Sequence, residues 1–231
     1  VRYFDLEQEP DRLRLDLQWE SVCRSQDLTV LDEAQAWPEV FPRLRGAIDN
    51  DRKRNGRFLI LGSIAPGLMK NISESLAGRL AACELTPLLL LELGYEAPAA
   101  EESLWLRGGY PDGGALQPDN FPTWQNEYLN LLAEKDLPNW GLPAKPQVIR
   151  RLFKMLAHSH GRLWNASQVA AGLGLSYHTV NSYVDYLVNA YLIRLLPPFH
   201  ANIRKRFVKS PKLYWRDSGL LHALLQIRTL D

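Results

Sequence analysis

Residues Leu28 to Gln35 read LTVLDEAQ, a short, mostly apolar run that ends abruptly in two adjacent carboxylates, Asp32 and Glu33. An apolar run of this length before a sudden charge reads as a parallel strand buried on both faces. The carboxylates then stand at the strand's C-terminal end, where open α/β sheets bind their ligands. Adjacent acids also suit the N-terminus of a helix, whose dipole favours negative charge. The eight residues by themselves permit both readings.

The neighbouring stretches favour the sheet. Arg57 to Ser63, RFLILGS, is a second buried strand ending in a small polar residue. Between the two lies Pro38 to Arg52, with Val40, Leu44, Ala47 and Ile48 at helical spacing. Strand, helix, strand makes one right-handed crossover unit. Upstream, Tyr3 to Leu6 reads as a short strand. Pro10 to Cys23 reads as an amphipathic helix with Leu13, Leu17 and Val22 inward. Downstream, Pro66 to Met69 opens a helical turn, and Ala81 to Leu85 is a fourth candidate strand closed by Pro87.

In this setting the carboxylate pair has the Walker B arrangement of P-loop ATPases. There the Asp helps to hold Mg²⁺ and the following Glu polarises an attacking water. The strings LDEAQ, FPRLRGAIDNDR, FLILGS, LAGRL and TPL resemble the bacterial and archaeal AAA-type ATPases of unknown function. LWLRGGYP, AEKDLPNWG, MLAHSHG, LPPFHANIRKR and KSPKLYWRDSGLLHALL resemble the domain of unknown function that usually forms the second half of that family. The resemblance spans essentially the whole chain. It implies ATP and Mg²⁺ as cofactors, Asp32 for the metal, Glu33 for catalysis, Ser63 as the γ-phosphate sensor, and Arg79 as a finger on the next subunit.

One departure is decisive. Such an ATPase needs a glycine-rich loop ending in Gly-Lys-Ser/Thr ahead of the Walker B strand, and no Gly-x-x-x-x-Gly-Lys-Ser/Thr occurs in the 231 residues. The opening VRYFDLEQ resembles the strand that comes after that loop's helix, and the family continues past Asp231. The chain is therefore expected to be a piece of a longer protein and inactive as an ATPase by itself. In the family's sheet the strand feeding the phosphate loop lies between RFLILGS and Ala81 to Leu85. Both would be left as unprotected edges, and self-association is expected.

Composition is that of an ordinary globular chain, with 46% hydrophobic and 23% charged residues. No apolar run approaches the ~20 residues needed to cross a bilayer, and the N-terminus lacks a signal-peptide core. Cys23 and Cys83 are far apart with no metal-binding spacing, which fits a reducing cytoplasm. The net charge of +1 hides an asymmetry. Residues 1–115 hold 13 Lys/Arg against 19 Asp/Glu, and residues 116–231 hold 14 against 7. Such a split points to nucleic acid or an acidic partner for the second half.

In that half, Tyr95 to Glu102 reads as a linker, and the paired glycines of Leu104 to Gly114 as a sharp turn. Asn120 to Ala133 reads as a helix with Trp124, Tyr128, Leu131 and Leu132 on one face. Lys145 to His158 reads as another, with Ile149, Leu152, Phe153 and Leu156 buried. His158 and His160 point too far apart on a helix to share a metal. Asn165 to Leu187 has the helix-turn-helix pattern: a cap at Asn165 or Ser167, a turn bracketed by Gly172 and Gly174, and a cap at Ser176. Val180, Tyr183, Val184 and Leu187 face inward on the second helix, and a strand over Ala190 to Leu196 makes the unit winged.

Tyr177, His178, Asn181 and Ser182 face outward, where they can hydrogen-bond base edges. Arg194, Arg204, Lys205, Arg206, Lys209, Lys212 and Arg216 form an acid-free run interleaved with aromatics, as a phosphate-tracking surface requires. Docking on an acidic protein surface fits the same run. The expected architecture is α/β: an incomplete P-loop-type parallel sheet in 1–95, a helical linker region in 96–144, and a winged helix-turn-helix domain with a basic C-terminal segment in 145–231. The expected function is a DNA-associated AAA-type fragment that binds DNA without sequence preference, with a protein-interaction module as the alternative.

Overall fold

The computed structural model describes residues 1–62, 75–94, 98–199 and 210–230, with 98–100 described as backbone only. The chain divides into two compact units, residues 1–83 and 84–231, each with its own apolar core.

In the first unit, the described residues form one parallel sheet of β1 (Arg2–Asp5), β2 (Thr29–Asp32) and β3 (Phe58–Ile60), with β2 in the centre. Parallel neighbours need crossover connections. α1 (Glu9–Arg24) supplies one and α2 (Val40–Asn50) the other. The register aligns Asp5 with Asp32 and Thr29 with Phe58. Thr29, Val30 and Leu31 are buried, as a central strand covered on both faces requires. Val40, Leu44 and Ala47 are buried at the expected helical spacing, with Ile48 packed beside them. Phe4, Leu6, Leu15, Leu31 and Phe41 complete the core, each contributing roughly 2 kcal/mol by leaving water.

Two expectations for this part of the chain are overturned. α1 buries Leu15 and Val22, with Trp19 packed between them, while Leu13 is exposed and Leu17 is 87% exposed. Leucines alternate with charges here, so Leu13/Leu17 and Leu15/Trp19 are two stripes of equal spacing on nearly opposite faces. The second stripe reaches Val22 at the next turn and is the one the sheet covers. Residues 81–85 form no strand, and Leu85 is 98% exposed. Their neighbours are engaged elsewhere: Glu84 pairs with Arg216, and the Leu88 N–H donates to the Gly109 carbonyl at 2.8 Å. The helical turn expected at Pro66 to Met69 lies outside the described residues.

The second unit is mainly helical. Its helices of eight or more residues are α3 (Pro98–Arg107), α4 (Thr123–Leu131), α5 (Pro146–His158), α6 (Ala166–Leu173), α7 (Tyr177–Asn189) and α8 (Ser218–Leu225). An antiparallel pair, β4 (Ile193–Leu196) and β5 (Lys212–Trp215), precedes α8. The composition read as a linker is helical from Pro98: a proline at the first position followed by Ala and Glu is also how a helix begins. On α4 the buried residues are Gln125 and Leu129, and Leu131 faces solvent. α5 buries Ile149, Leu152, Phe153 and Leu156 as its periodicity requires. The Asn165 side chain accepts from the Gln168 N–H and Ser176 from that of Thr179, so both helix starts are capped where the sequence indicates. Gly174 ends α6 in the left-handed region, where glycine costs least. Val180, Tyr183, Val184 and Leu187 all point inward.

The region expected as a helical linker, 96–144, contributes to the core of the second unit. Its Leu129, Leu132 and Leu137 share one core with Leu152, Val184, Leu213 and Leu220. Among the described residues, no helix is long and apolar enough to cross a membrane.

Candidate functional site

The C-terminal edge of the parallel sheet gathers several polar side chains. The chain leaves β2 through Glu33, which holds left-handed backbone angles (φ 47°) before a single 3₁₀ turn over Ala34–Ala36. A non-glycine residue there is strained, and such strain concentrates at functional sites. Asp32 is fixed at both oxygens, one accepting from the Tyr3 hydroxyl and the other from the Glu33 N–H at 3.0 Å. The bond to Asp32 pushes the Tyr3 hydroxyl up to about 12, so it stays a donor. Glu33 accepts from the Gln35 amide. Gln35 in turn lies over Gly62: a Cβ there would come within 2.2 Å of the Gln35 Oε1.

Sequence reasoning placed Asp32 and Glu33 at this edge and did not anticipate Tyr3 and Gln35 beside them. Tyr3 pairs in register with Val30, two residues before Asp32. One long ring spans that step along a shared face, so a tyrosine near the end of the neighbouring strand was the available signal. Among the described residues, no group of three or more His, Cys, Asp or Glu could enclose a metal. Two carboxylates suit one side of a Mg²⁺ ion, whose other positions are usually filled by water and phosphate oxygens.

Arg79 is held in a fork by Asp49 of α2, with Nε to Oδ1 at 2.8 Å and Nη2 to Oδ2 at 2.9 Å. Arg52 adds a third contact to Asp49 at 2.9 Å. The Arg79 bond, more than that of Arg52, pulls the Asp49 carboxyl down to about 2. Ser63 lies outside the described residues.

In the second unit, Tyr177, His178 and Ser182 lie on the first turns of α7; Tyr177 and His178 are exposed, their rings edge to face at 5.4 Å. Ser182 is exposed, whereas Asn181 is half-buried and engaged, its Oδ1 accepting from the Trp164 indole at 3.1 Å. Arg194 and Lys212 are exposed on the β4–β5 pair, opposite Tyr214 and Leu196 respectively. Arg216 is occupied by Glu84 and lies over the Tyr191 ring at 5.1 Å. Arg204, Lys205, Arg206 and Lys209 lie outside the described residues.

The paired glycines receive an anion, but it belongs to the chain itself. The Gly109 N–H donates to Asp217 Oδ2, and the Leu220 N–H to Oδ1, both at 2.8 Å. A Cβ at Gly108 would meet Asp217 Oδ1 at 2.3 Å, and one at Gly219 would meet the Arg107 carbonyl oxygen at 1.9 Å. Burial raises the Asp217 carboxyl, while the backbone bonds from Leu220, Gly109 and Gly219 draw it back. Beside it, the buried His222 Nδ1 lies 2.9 Å from the Leu106 carbonyl oxygen.

A family described as a domain of unknown function, DUF8612, matches residues 99–231, more than half of the chain. The chain belongs to this DUF8612 family. An AAA domain matches residues 1–94, covering the β2 edge with Asp32 and Glu33. Two uncharacterized proteins, from Mycobacterium bovis and Mycobacterium tuberculosis, are each 40% identical to this DUF8612 member over 225 residues, 97% of its length. The chain spans about half the length of these curated relatives, 50% of each. No solved structure matches it.

Proposed function

We propose that this protein is part of an AAA-type, ATP-dependent machine that works on DNA. The observation that carries the reading is the Asp32–Glu33 pair at the C-terminal edge of a central parallel strand, within the stretch similar to AAA domains. In this reading Asp32, oriented by Tyr3, would help to hold a Mg²⁺ ion, which would offset phosphate charge, and Glu33 would orient a water. Ser63 takes the γ-phosphate sensor position. Arg79 serves as a finger only on exchanging Asp49 for a phosphate. A phosphate cradle needs a backbone nest and a lysine in the P-loop pattern, which no stretch of this sequence provides. The chain alone therefore does not turn over ATP appreciably. Turnover by the isolated chain that Glu33→Gln abolishes would overturn that statement.

The second unit carries the DNA contact. A winged helix-turn-helix is supported by α6, the Gly174 turn and α7, followed by the β4–β5 pair, to which Leu163 adds an isolated antiparallel bridge at Lys212. Tyr177, His178 and Ser182 on α7 join Arg194 and Lys212, and the basic run Arg204, Lys205, Arg206 and Lys209 supplies phosphate contacts. No Lys or Arg stands on the first turns of α7, so binding is non-specific. Fluorescence anisotropy of a labelled duplex should show binding that weakens steeply with salt. Changing Arg194 and Lys212 together to Ala should flatten the salt slope by about two units.

A second reading has its own observation: Asn181 is spent on Trp164, which removes one of four base-reading candidates. If no duplex or single strand binds at low salt, the winged unit is a protein-docking module.

A further inference from the structure

α1 and α2 both end at the sheet edge where the strands begin, opposite Asp32 and Glu33. Between them lies an open cleft of about 630 Å³, within the range of sites that take small organic molecules. Four arginines line it, Arg24, Arg43, Arg54 and Arg57, against two acids, Glu20 and Asp51. Arg24 is paired with Glu20 and Arg43 with Asp16. Among the described residues, Arg54 and Arg57 have no carboxylate partner. Arg54 donates to the Ser25 carbonyl just past α1. Arg57 donates through Nη2 to the carbonyls of Ala47, at 3.0 Å, and Asp51, at 3.3 Å, at the end of α2.

These bonds answer the exposed carbonyls of two helix ends and use part of each guanidinium. They leave Arg57 Nε buried with no hydrogen-bond partner among the described residues. Arg57 is only 7% exposed, and a buried charged donor without an acceptor is costly. An oxyanion is the acceptor its planar fork fits best.

We propose that this cleft binds the phosphate monoester group of a small molecule, held by Arg54 and Arg57. Glu20 neutralises Arg24 and Asp16 neutralises Arg43, so Arg54 and Arg57 against Asp51 leave the cleft one positive charge in excess, the sign an anionic monoester requires. The volume far exceeds a lone phosphate, and Trp19 on the wall offers apolar surface for the organic part. Gly46 keeps the space open: a Cβ there would meet nothing within 4 Å.

The test is isothermal titration of the whole chain at low salt with phenyl phosphate, inorganic phosphate, phenol and a phosphoserine peptide. Phenyl phosphate should bind saturably and phenol should not. Gly46→Leu fills the cleft from an open helical position without disturbing the core, and it should weaken phenyl phosphate by about tenfold or more, as should Arg57→Gln. Should Arg57→Gln fail to fold, Gly46→Leu carries the test alone. No saturable phenyl phosphate binding, or an affinity unchanged by Gly46→Leu, overturns the site. Equal affinity for inorganic phosphate overturns the organic ligand, and tighter binding of the phosphopeptide overturns the small-molecule assignment.

Discussion

Asp217 shows how much a single side chain can hold together. It caps α8 through the Leu220 N–H and ties the glycine turn after α3 through the Gly109 N–H, while almost wholly removed from water. Asp217→Ala leaves both donors unanswered and should cost about 3 kcal/mol in urea unfolding. Asp217→Asn keeps one acceptor oxygen and should cost clearly less. His160 is one residue through which pH acts on the second unit. Its Nδ1 accepts from the Trp215 N–H at 3.1 Å, so that nitrogen must be unprotonated. Burial, and then the charge of His222, lowers its pKa below the ordinary histidine value. The unfolded chain therefore takes up this proton at a higher pH than the folded chain, and stability is lost as pH falls below about 6.5. Thermal melting between about pH 7 and pH 5 should show the decline, and His160→Gln should make it shallower. An identical profile in the variant would remove His160 as the cause.

At the scale of elements, α1 carries two leucine stripes that sequence spacing does not rank. The sheet covers Leu15, Trp19 and Val22 and leaves Leu13 and Leu17 in solvent. Leu15→Ala should cost about 2–5 kcal/mol, and Leu17→Glu should stay within about 0.5 kcal/mol. The reverse order would mean that the helix is rotated. α5 is legible because its apolar residues form one stripe with charges on the other side. α6 and α7 are legible because Asn165, Gly174 and Ser176 punctuate them locally. Residues 81–85 look like a strand by composition and are not one. A strand exists only with a partner, and this segment's neighbours bond instead to Gly109 and Arg216.

At the scale of the whole molecule, what matters is the edge at β3. Among the described residues β3 is the edge of its sheet, and Leu59 and Leu61 are 44% and 40% exposed. A short apolar edge with no Pro or Lys inside it is a template for another strand. The isolated chain should self-associate in light scattering, and Leu59→Lys should shift it towards the monomer. A strictly monomeric chain of 26.4 kDa with a cooperative melt would show that the edge is closed.

The sequence by itself determined the central strand ending in Asp32 and Glu33, the crossover helix that buries Val40, Leu44 and Ala47, and the capped helix pair of the second unit. Each rests on interactions within a few residues or on one unambiguous apolar period, which local order encodes directly. Only the tertiary structure decided that Tyr3 orients Asp32, that Asp49 holds Arg79, that Asp217 fills the glycine turn, and which face of α1 is buried. Those partners lie 29, 30 and 108 residues apart. Their pairing depends on how strands and helices are brought together in space, and no local spacing records that.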